Sequence, residues 1–297
     1  MSLRIWTQWD ELEVPAGFEK LSPGNFPLDS SDLSTIDFYV PTYMSGKAGL
    51  EFTNQMTNLK YLQMPNAGYE DALPYVRTGI TLCNARGVHD ASTAELAVGL
   101  AIAARRGFSD FAVAQQNGVW AHRRYQSLND SKIAIVGAGS IGNTLAKYLS
   151  IYDVEITTYS RSGNNGSKKM SDFDRDINQF DIIFLILPLN EDSKNLMNSE
   201  RLRAMKFGAA LVNVARGAIV NTDVLVDMLN SGHISAGLDV TDPEPLPVGH
   251  PLWSAKNCVI TPHVGGDSTA FDSRCKKLVE EQLIRLANNQ TLLNIVN

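Results

Sequence analysis

Three side chains, each just past a short apolar run, are of types that do chemistry together. Arg216 follows Ala210–Val214 in the segment Asn213-Val214-Ala215-Arg216-Gly217. Glu244 lies beyond Ser235–Val240, in Asp239-Val240-Thr241-Asp242-Pro243-Glu244-Pro245. His263 follows Cys258–Ile260, in Thr261-Pro262-His263-Val264-Gly265-Gly266. A histidine is the one of these groups that gives and takes a proton near neutral pH. A glutamate paired with it favours the imidazolium and fixes its tautomer. An arginine offers a planar fork to a carboxylate and polarises a carbonyl. Such a set serves a carbonyl that becomes an alkoxide and needs a proton. Each residue also has a plainer reading: Arg216 as a structural anchor before a turn glycine, Glu244 as a solvated acid in a proline-rich loop, His263 as a structural histidine. Their common placement at the ends of successive apolar runs favours the chemical reading.

A hydride donor would complete the set, and a second motif offers its site. Gly137-Ala138-Gly139-Ser140-Ile141-Gly142 follows the apolar run Lys132–Val136 and opens a helical pattern that reaches Leu149. G-x-G-x-x-G alone is weak, but between a strand and a helix it reads as a dinucleotide turn. Gly137 permits the turn, Gly139 clears the approach of a pyrophosphate, and Gly142 lets helix and strand pack closely. The helix N-terminus turns free N–H groups and a positive dipole end to the phosphates. The next strand should end at the adenosine ribose, where an NAD enzyme carries Asp or Glu. Here the chain reads Tyr159-Ser160-Arg161-Ser162-Gly163. An acid would repel a 2′-phosphate, whereas Ser160, Arg161 and Ser162 can hydrogen-bond one. NADP(H) is therefore expected in preference to NAD(H).

The elements that must position these groups follow a strand–turn–helix rhythm. Lys132–Val136, Val154–Tyr159, Asp181–Leu187, Ala210–Val214, Ser235–Val240 and Cys258–Ile260 are short and apolar. Strands this apolar have no wet face, so a parallel sheet covered on both sides is expected, with ligands at its carboxyl edge. Earlier runs, Asp37–Val40, Lys60–Met64 and Ile80–Cys83, read as strands of a smaller α/β unit. Ser92 and Glu95 form a capping-box pattern that opens an apolar helix to about Arg106. Cys275, Leu278, Val279, Gln282, Leu283 and Leu286 recur at helical spacing, which suggests a last helix that returns to the first unit. The expectation is α/β: a Rossmann-type doubly wound domain over 86–266 and a smaller, discontinuous, flavodoxin-like domain of 1–85 with 267–297. The active site would lie between them.

Composition bounds the partners. The 297 residues carry 32 acidic against 26 basic side chains, a net charge of −6 that gives no general attraction to nucleic acid or membrane surfaces. Cys83, Cys258 and Cys275 are widely spaced and fit neither a metal motif nor a disulfide framework. No apolar run has signal-peptide or bilayer length, so a cytoplasmic protein is expected. His89, His122, His233 and His250 read as surface or packing residues, His250 with a possible structural hydrogen bond. The apolar stretch from Glu95 to the arm Asn117-Gly118-Val119-Trp120 suggests a two-fold dimer, or else a helix buried in its own subunit.

The ordered segments NVARG, DxxxxEP and TPHxGG, with the glycine motif before them, resemble the D-isomer-specific 2-hydroxyacid dehydrogenase family along essentially the whole chain. The glyoxylate/hydroxypyruvate reductases and phosphoglycerate dehydrogenases belong to that group. The resemblance implies hydride transfer between NAD(P)(H) and a small 2-oxo or D-2-hydroxy acid, and no metal. It implies that Arg216 binds and polarises substrate, that His263 is the acid/base and that Glu244 tunes it. It also implies that Ser140 and Ile141 meet the pyrophosphate by backbone, that Leu187 and Pro188 lie by the cofactor, and that Val214 and Ala215 lie near the nicotinamide. Asp239 would hold the carboxamide. The loop Asn66-Ala67-Gly68-Tyr69 would clasp the substrate carboxylate through the N–H groups of Ala67 and Gly68. The family association is a homodimer. Two other readings stand beside this one: a cofactor-sensing binding protein of corepressor type on the same fold, and a formate dehydrogenase-like enzyme, which would carry an amide where Glu244 stands.

Overall fold

The apolar runs at the start of the chain form parallel strands. The computed structural model describes residues 2–21, 30–164 and 166–297. Among the described residues of the first unit, Met1–His89 with Thr269–Asn297, five strands form one sheet. They are β1 (Leu3–Trp6), β2 (Phe18–Leu21), β3 (Phe38–Tyr39), β4 (Tyr61–Gln63) and β5 (Thr81–Cys83), in the order β2-β1-β3-β4-β5. That order is flavodoxin-like. Successive side chains of a strand point to opposite faces, so this sheet has two cores. Trp6, Tyr39, Leu62 and Leu82 pack on one side, with α1 (Ser30–Ser34) and α2 (Gly46–Glu51) among the short helices of this unit. Ile5 and Phe38 pack on the other. β1 and β2 were not expected from sequence. Their segments, LRIW and FEKL, mix charges into runs of only four residues, and β2 is an edge strand with Glu19 exposed.

The second unit, Asp90–Ser268, carries the larger sheet. It begins with two helices, α3 (Asp90–Arg105) and α4 (Phe108–Gln116). There follow β6 (Ser131–Val136), α5 (Ser140–Leu149), β7 (Val154–Ser160), β8 (Lys168–Lys169), α6 (Phe173–Asp176) and β9 (Ile182–Leu185). The unit closes with α7 (Ser199–Ala204), β10 (Ala209–Asn213), α8 (Thr222–Asn230), β11 (Ile234–Leu238) and β12 (Cys258–Ile260). Among the described residues, seven strands pair in the order β12-β11-β10-β9-β6-β7-β8, all in parallel. This is the doubly wound Rossmann arrangement, with its reversal of direction between β6 and β9. Ile133 and Ile135 of β6 face α3 and α5, where Ala97, Leu100, Leu145 and Leu149 are buried. Ala134 and Val136 face the opposite core with Phe173, Leu202 and Leu225 of α6, α7 and α8. A last helix, α9 (Phe271–Ala287), returns to the first unit and buries Cys275, Val279 and Leu283 beside Ile5 and Phe38.

One expectation about the first helices is corrected. α3 starts at Asp90, so Ser92 lies inside its first turn, and the capping box with Glu95 does not form. Ser92 Oγ instead lies 2.8 Å from Ser268 Oγ. The helix ends at Arg105, as expected near Arg106, and a second helix, α4, follows it. Gly107 lies between the two at φ +64°, where a Cβ would strike the Tyr125 ring at 2.2 Å. The apolar face of α3 is spent inside its own unit, against α5, β10 and β11. α4 buries nothing: Phe108, Val113 and Trp120 beyond it are 53%, 58% and 95% exposed.

Candidate active site

The glycine turn joins β6 to α5. Gly137 has φ +123°, and a Cβ there would lie 1.8 Å from the carbonyl oxygen of Ile186, after β9. A Cβ on Gly142 would meet the Gly137 carbonyl oxygen at 2.0 Å, so helix and turn approach more closely than a side chain permits. Gly139 differs, because a Cβ there would have nothing within 4 Å. That open space lies at the N-cap of α5, which carries no side-chain cap. The first N–H groups of a helix have no partner within it, so those of Ser140, Ile141 and Gly142 are presented to this space together with the dipole. Ser140 donates its hydroxyl to Asp90 Oδ1 at 3.2 Å, which leaves its backbone N–H for a ligand. A dinucleotide pyrophosphate fits this cradle.

On the carboxyl edge of the sheet, β7 ends on Ser160. Its hydroxyl accepts from the Gly163 N–H at 3.0 Å and lies 2.6 Å from Ser167 Oγ. Ser167 donates to the Asn164 carbonyl at 2.6 Å, so the proton between the two hydroxyls comes from Ser160. Ser160 thus builds the turn, while Arg161 and Ser162 are exposed on it. Arg161 Nη2 meets Asp192 Oδ2 at 3.0 Å with both side chains 76% exposed, a pair that solvent screens heavily. Sequence reasoning missed β8. It brings Lys169 beside the same turn, where a Cβ on Gly163 would lie 2.6 Å from Lys169 Cγ. Its neighbour Lys168 is occupied by the buried Asp176, which also accepts from Tyr159 Oη at 2.8 Å. The Lys168 hydrogen bond is the main reason the Asp176 carboxyl is held down at about 2. Two lysines in a polar, glycine-containing stretch carry no strand pattern, so the sequence held no signal for β8.

Leu187 and Pro188 follow β9. Leu187 packs on the sheet core, and the exposed Pro188 accepts from Ser193 Oγ at 2.7 Å through its carbonyl. Val214 and Ala215 follow β10 and are buried, one in each core. The next residue is Arg216. Asn213 organises this corner by donating from Nδ2 to the Arg216 carbonyl at 2.9 Å and accepting from the Ala215 N–H at 3.1 Å. Gly217 follows because its Cα packs against the loop after β11: a Cβ would lie 1.9 Å from the Thr241 carbonyl oxygen. Ala67 and Gly68 belong to the first unit, in the bend after β4.

The structure brings His263 and Glu244 together, with Nδ1 of one 2.6 Å from Oε1 of the other. The hydrogen bond to Glu244 raises the His263 pKa above its ordinary value. Burial and the charge of Arg216 oppose this, and the Glu244 charge adds to it. The same hydrogen bond lowers the Glu244 pKa, with burial opposing and the Arg216 guanidinium assisting. The three groups are thus electrostatically coupled.

His263 sits at φ +56°, an uncommon backbone conformation for a residue with a side chain. Asp239, at the end of β11, holds it there. Its carbonyl accepts from the His263 N–H at 2.8 Å. Its buried carboxylate accepts from Thr261 Oγ1 at 2.6 Å, the Val264 N–H at 2.9 Å and the Gly265 N–H at 2.8 Å. Sequence reasoning did not foresee this task for Asp239, nor any part for Thr261. Of the other histidines, His250 accepts from the Leu252 N–H at 3.2 Å and caps the turn Pro251–Ser254. His233 lies 2.9 Å from the Met205 carbonyl.

An open glycine turn at the switch point of a doubly wound sheet, with a hydrogen-bonded histidine–glutamate pair and an arginine on loops after neighbouring strands, is the arrangement of a nicotinamide-dependent dehydrogenase. Comparison with known proteins narrows the class. Residues 98–265 match the model of the NAD binding domain of the D-isomer specific 2-hydroxyacid dehydrogenases. A glyoxylate reductase from Thermofilum pendens is 31% identical over 86% of this chain and 79% of its own length. The glyoxylate reductase/hydroxypyruvate reductase of Homo sapiens is 33% identical over 70% of this chain and 68% of its own. The crystal structure of the TT0316 protein from Thermus thermophilus superposes with a TM-score of 0.81 at 28% identity, covering 99% of this chain and 100% of that one. This chain belongs to the D-isomer specific 2-hydroxyacid dehydrogenase family. It is an oxidoreductase that uses a nicotinamide cofactor to transfer hydride between a 2-oxo acid and a 2-hydroxy acid, and a purely cofactor-sensing role is not favoured.

Proposed function

We propose that this enzyme reduces a small 2-oxo acid of the glyoxylate or hydroxypyruvate kind to its D-2-hydroxy acid, with NADPH preferred over NADH. The observation that carries the reading is the 2.6 Å contact between His263 Nδ1 and Glu244 Oε1. With Nδ1–H directed to Glu244, Nε2 is the nitrogen left to face substrate, and the Glu244 hydrogen bond, which raises the His263 pKa, favours the proton-donating imidazolium. The nicotinamide, when bound, supplies the hydride to the 2-oxo carbon. His263 then gives its Nε2 proton to the forming alkoxide. Arg216 polarises the carbonyl and, with the N–H groups of Ala67 and Gly68, holds the substrate carboxylate. The substrate class follows the glyoxylate reductase relatives.

Gly137, Gly139, Ser140, Ile141 and Gly142 form the pyrophosphate cradle in this reading. Leu187, Pro188, Val214 and Ala215 line the nicotinamide half, and Asp239 offers the remaining acceptor capacity of its carboxylate to the carboxamide. The NADPH preference rests on the absence of an acid at the end of β7 and on Arg161, Ser162 and Lys169 about its turn, with Ser160 setting the turn's shape. The enzyme works as a homodimer in the cytoplasm; the exposed apolar residues of α4 and its following arm support the first point. Among the described residues, no helix is long and apolar enough to cross a membrane.

A panel of 2-oxo acids, each assayed with NADPH and NADH, tests the proposal. Glyoxylate or hydroxypyruvate should give the highest kcat/KM, with NADPH favoured by about tenfold or more, the worth of one charge-assisted phosphate contact. No oxidation of either cofactor with any acid would overturn the activity, and preference for NADH would overturn the cofactor assignment.

A further inference from the structure

The loop proposed above to hold the substrate carboxylate has its backbone oriented by side chains that this reaction has not yet claimed. The three carbonyls of Pro65, Asn66 and Ala67 are each engaged by the segment 84–89. His89 Nε2 lies 2.8 Å from the Pro65 carbonyl oxygen. The N–H of Ala85 donates to the Asn66 carbonyl at 2.8 Å, and Asn84 Nδ2 donates to the Ala67 carbonyl at 2.8 Å. A carbonyl only accepts, so the imidazole of His89 carries its proton on Nε2. The peptide planes are rigid, and fixing each C=O fixes the N–H on the other side of the same plane. The carbonyls of Asn66 and Ala67 belong to the planes that carry the N–H groups of Ala67 and Gly68. Those are the two donors the substrate carboxylate requires, and the Pro65 carbonyl sets the plane before them.

His89 is itself immobilised. It is 6% exposed and stacks on Phe271 at 5.5 Å and 6°, and on Tyr43 at 5.5 Å and 20°. Asn84 is held as well: its N–H donates to the Asn294 carbonyl at 3.1 Å, and its carbonyl accepts from Gln63 Nε2 at 3.1 Å. A buried ring with its donor aimed at one carbonyl of a binding loop does more than fill space, because an apolar ring would fill the same space and leave that carbonyl unmatched.

We infer that His89 and Asn84 are positioning residues for the substrate: Asn84, through the Ala67 carbonyl, fixes the plane that carries the Gly68 amide, and His89, through the Pro65 carbonyl, fixes the plane that leads into the Ala67 amide, so that the loop aims its amides at the carboxylate of the 2-oxo acid. The inference rests on the proposed role of that loop. Carboxylate binding persists from ground state to transition state, so a misaimed loop raises KM more than it lowers kcat.

Two substitutions at one position separate aiming from packing. H89F keeps an aromatic ring beside the stacked Tyr43 and Phe271 rings but has no donor. H89Q discards the ring but keeps an amide donor near the place of Nε2. With glyoxylate as the probe, H89F should raise KM by about 5- to 50-fold, the range expected when a charge-assisted contact is misaligned. Its kcat should change less and its KM for NADPH should stay as in the wild type. H89Q should restore most of the glyoxylate KM even if its melting temperature falls. Asn84→Ala should act in the same direction as H89F, and it carries the test alone if H89F does not fold. A wild-type glyoxylate KM in both H89F and Asn84→Ala, or a KM defect in H89Q that exceeds that in H89F, would overturn the inference while the activity stands. A wild-type enzyme that reduces no 2-oxo acid would overturn the proposed function, and the positioning role with it.

Discussion

His263 combines a task and a constraint. In the proposed reaction its proton must be available to an alkoxide, and its backbone stands at φ +56°. Glu244 serves the first and Asp239 holds the second. If His263 is the acid, as proposed, reduction needs the imidazolium, so its rate should hold at low pH and fall as pH rises through the raised His263 pKa. Glu244→Gln removes the carboxylate that raises it, so the fall should move to lower pH, as a pH–kcat profile would display. Oxidation of the 2-hydroxy acid needs the neutral ring and should show the opposite limb shifting the same way. His263→Ala should lower kcat for reduction by about 10²- to 10⁴-fold, with NADPH binding retained in a titration of the folded protein. Near-normal turnover would remove the acid role from His263 and the tuning role from Glu244 together.

Among the elements, the turn from β7 to β8 is where the proposed preference for NADPH would be read. Its shape comes from Ser160 and Ser167, and its far end is fastened where Asp176 takes Lys168 and Tyr159. Among the described residues, Arg161 and Lys169 stand at its surface, Arg161 paired with the exposed Asp192. Arg161→Ala should therefore weaken NADPH selectively, by about 1.5–3 kcal/mol or roughly 10- to 150-fold in Kd, with NADH nearly unchanged. Equal losses for the two cofactors in binding titrations would mean that Arg161 reads no 2′-phosphate. The strand β7 and its polar end were legible as an apolar run closed by Ser160-Arg161-Ser162. β8 was not legible, because two lysines have no apolar periodicity; pairing with Tyr159 and Ser160 makes them a strand. The capping box failed for a related reason. Ser92 and Glu95 have the right spacing, but the helix takes its start from Asp90, and Ser92 finds Ser268 far along the chain.

For the whole molecule, α4 and the arm beyond it present Phe108, Val113, Val119 and Trp120 to solvent in the single chain. Large apolar side chains clustered on one exposed segment are expected to be covered in solution. Light scattering should give twice the mass of one chain, and Val113→Asp with Trp120→Ser should shift the protein toward the monomer; a monomeric wild type would end the idea. The sequence by itself determined the doubly wound class, the glycine turn and the order of Arg216, Glu244 and His263. These are written in local patterns: apolar runs of strand length, a spacing of glycines, polar residues just past each run. Local patterns also placed the last helix, since its apolar residues recur every three or four positions. What only the tertiary structure decided are the long-range pairings: Asp239 with the loop of His263, Lys169 beside the turn of Ser160, His89 with the carbonyl of Pro65. Each joins residues whose separation in sequence carries no periodicity. Hydrogen bonds of that kind are chosen by which backbone groups the packed sheets leave to be satisfied, and no local run of residues records that choice.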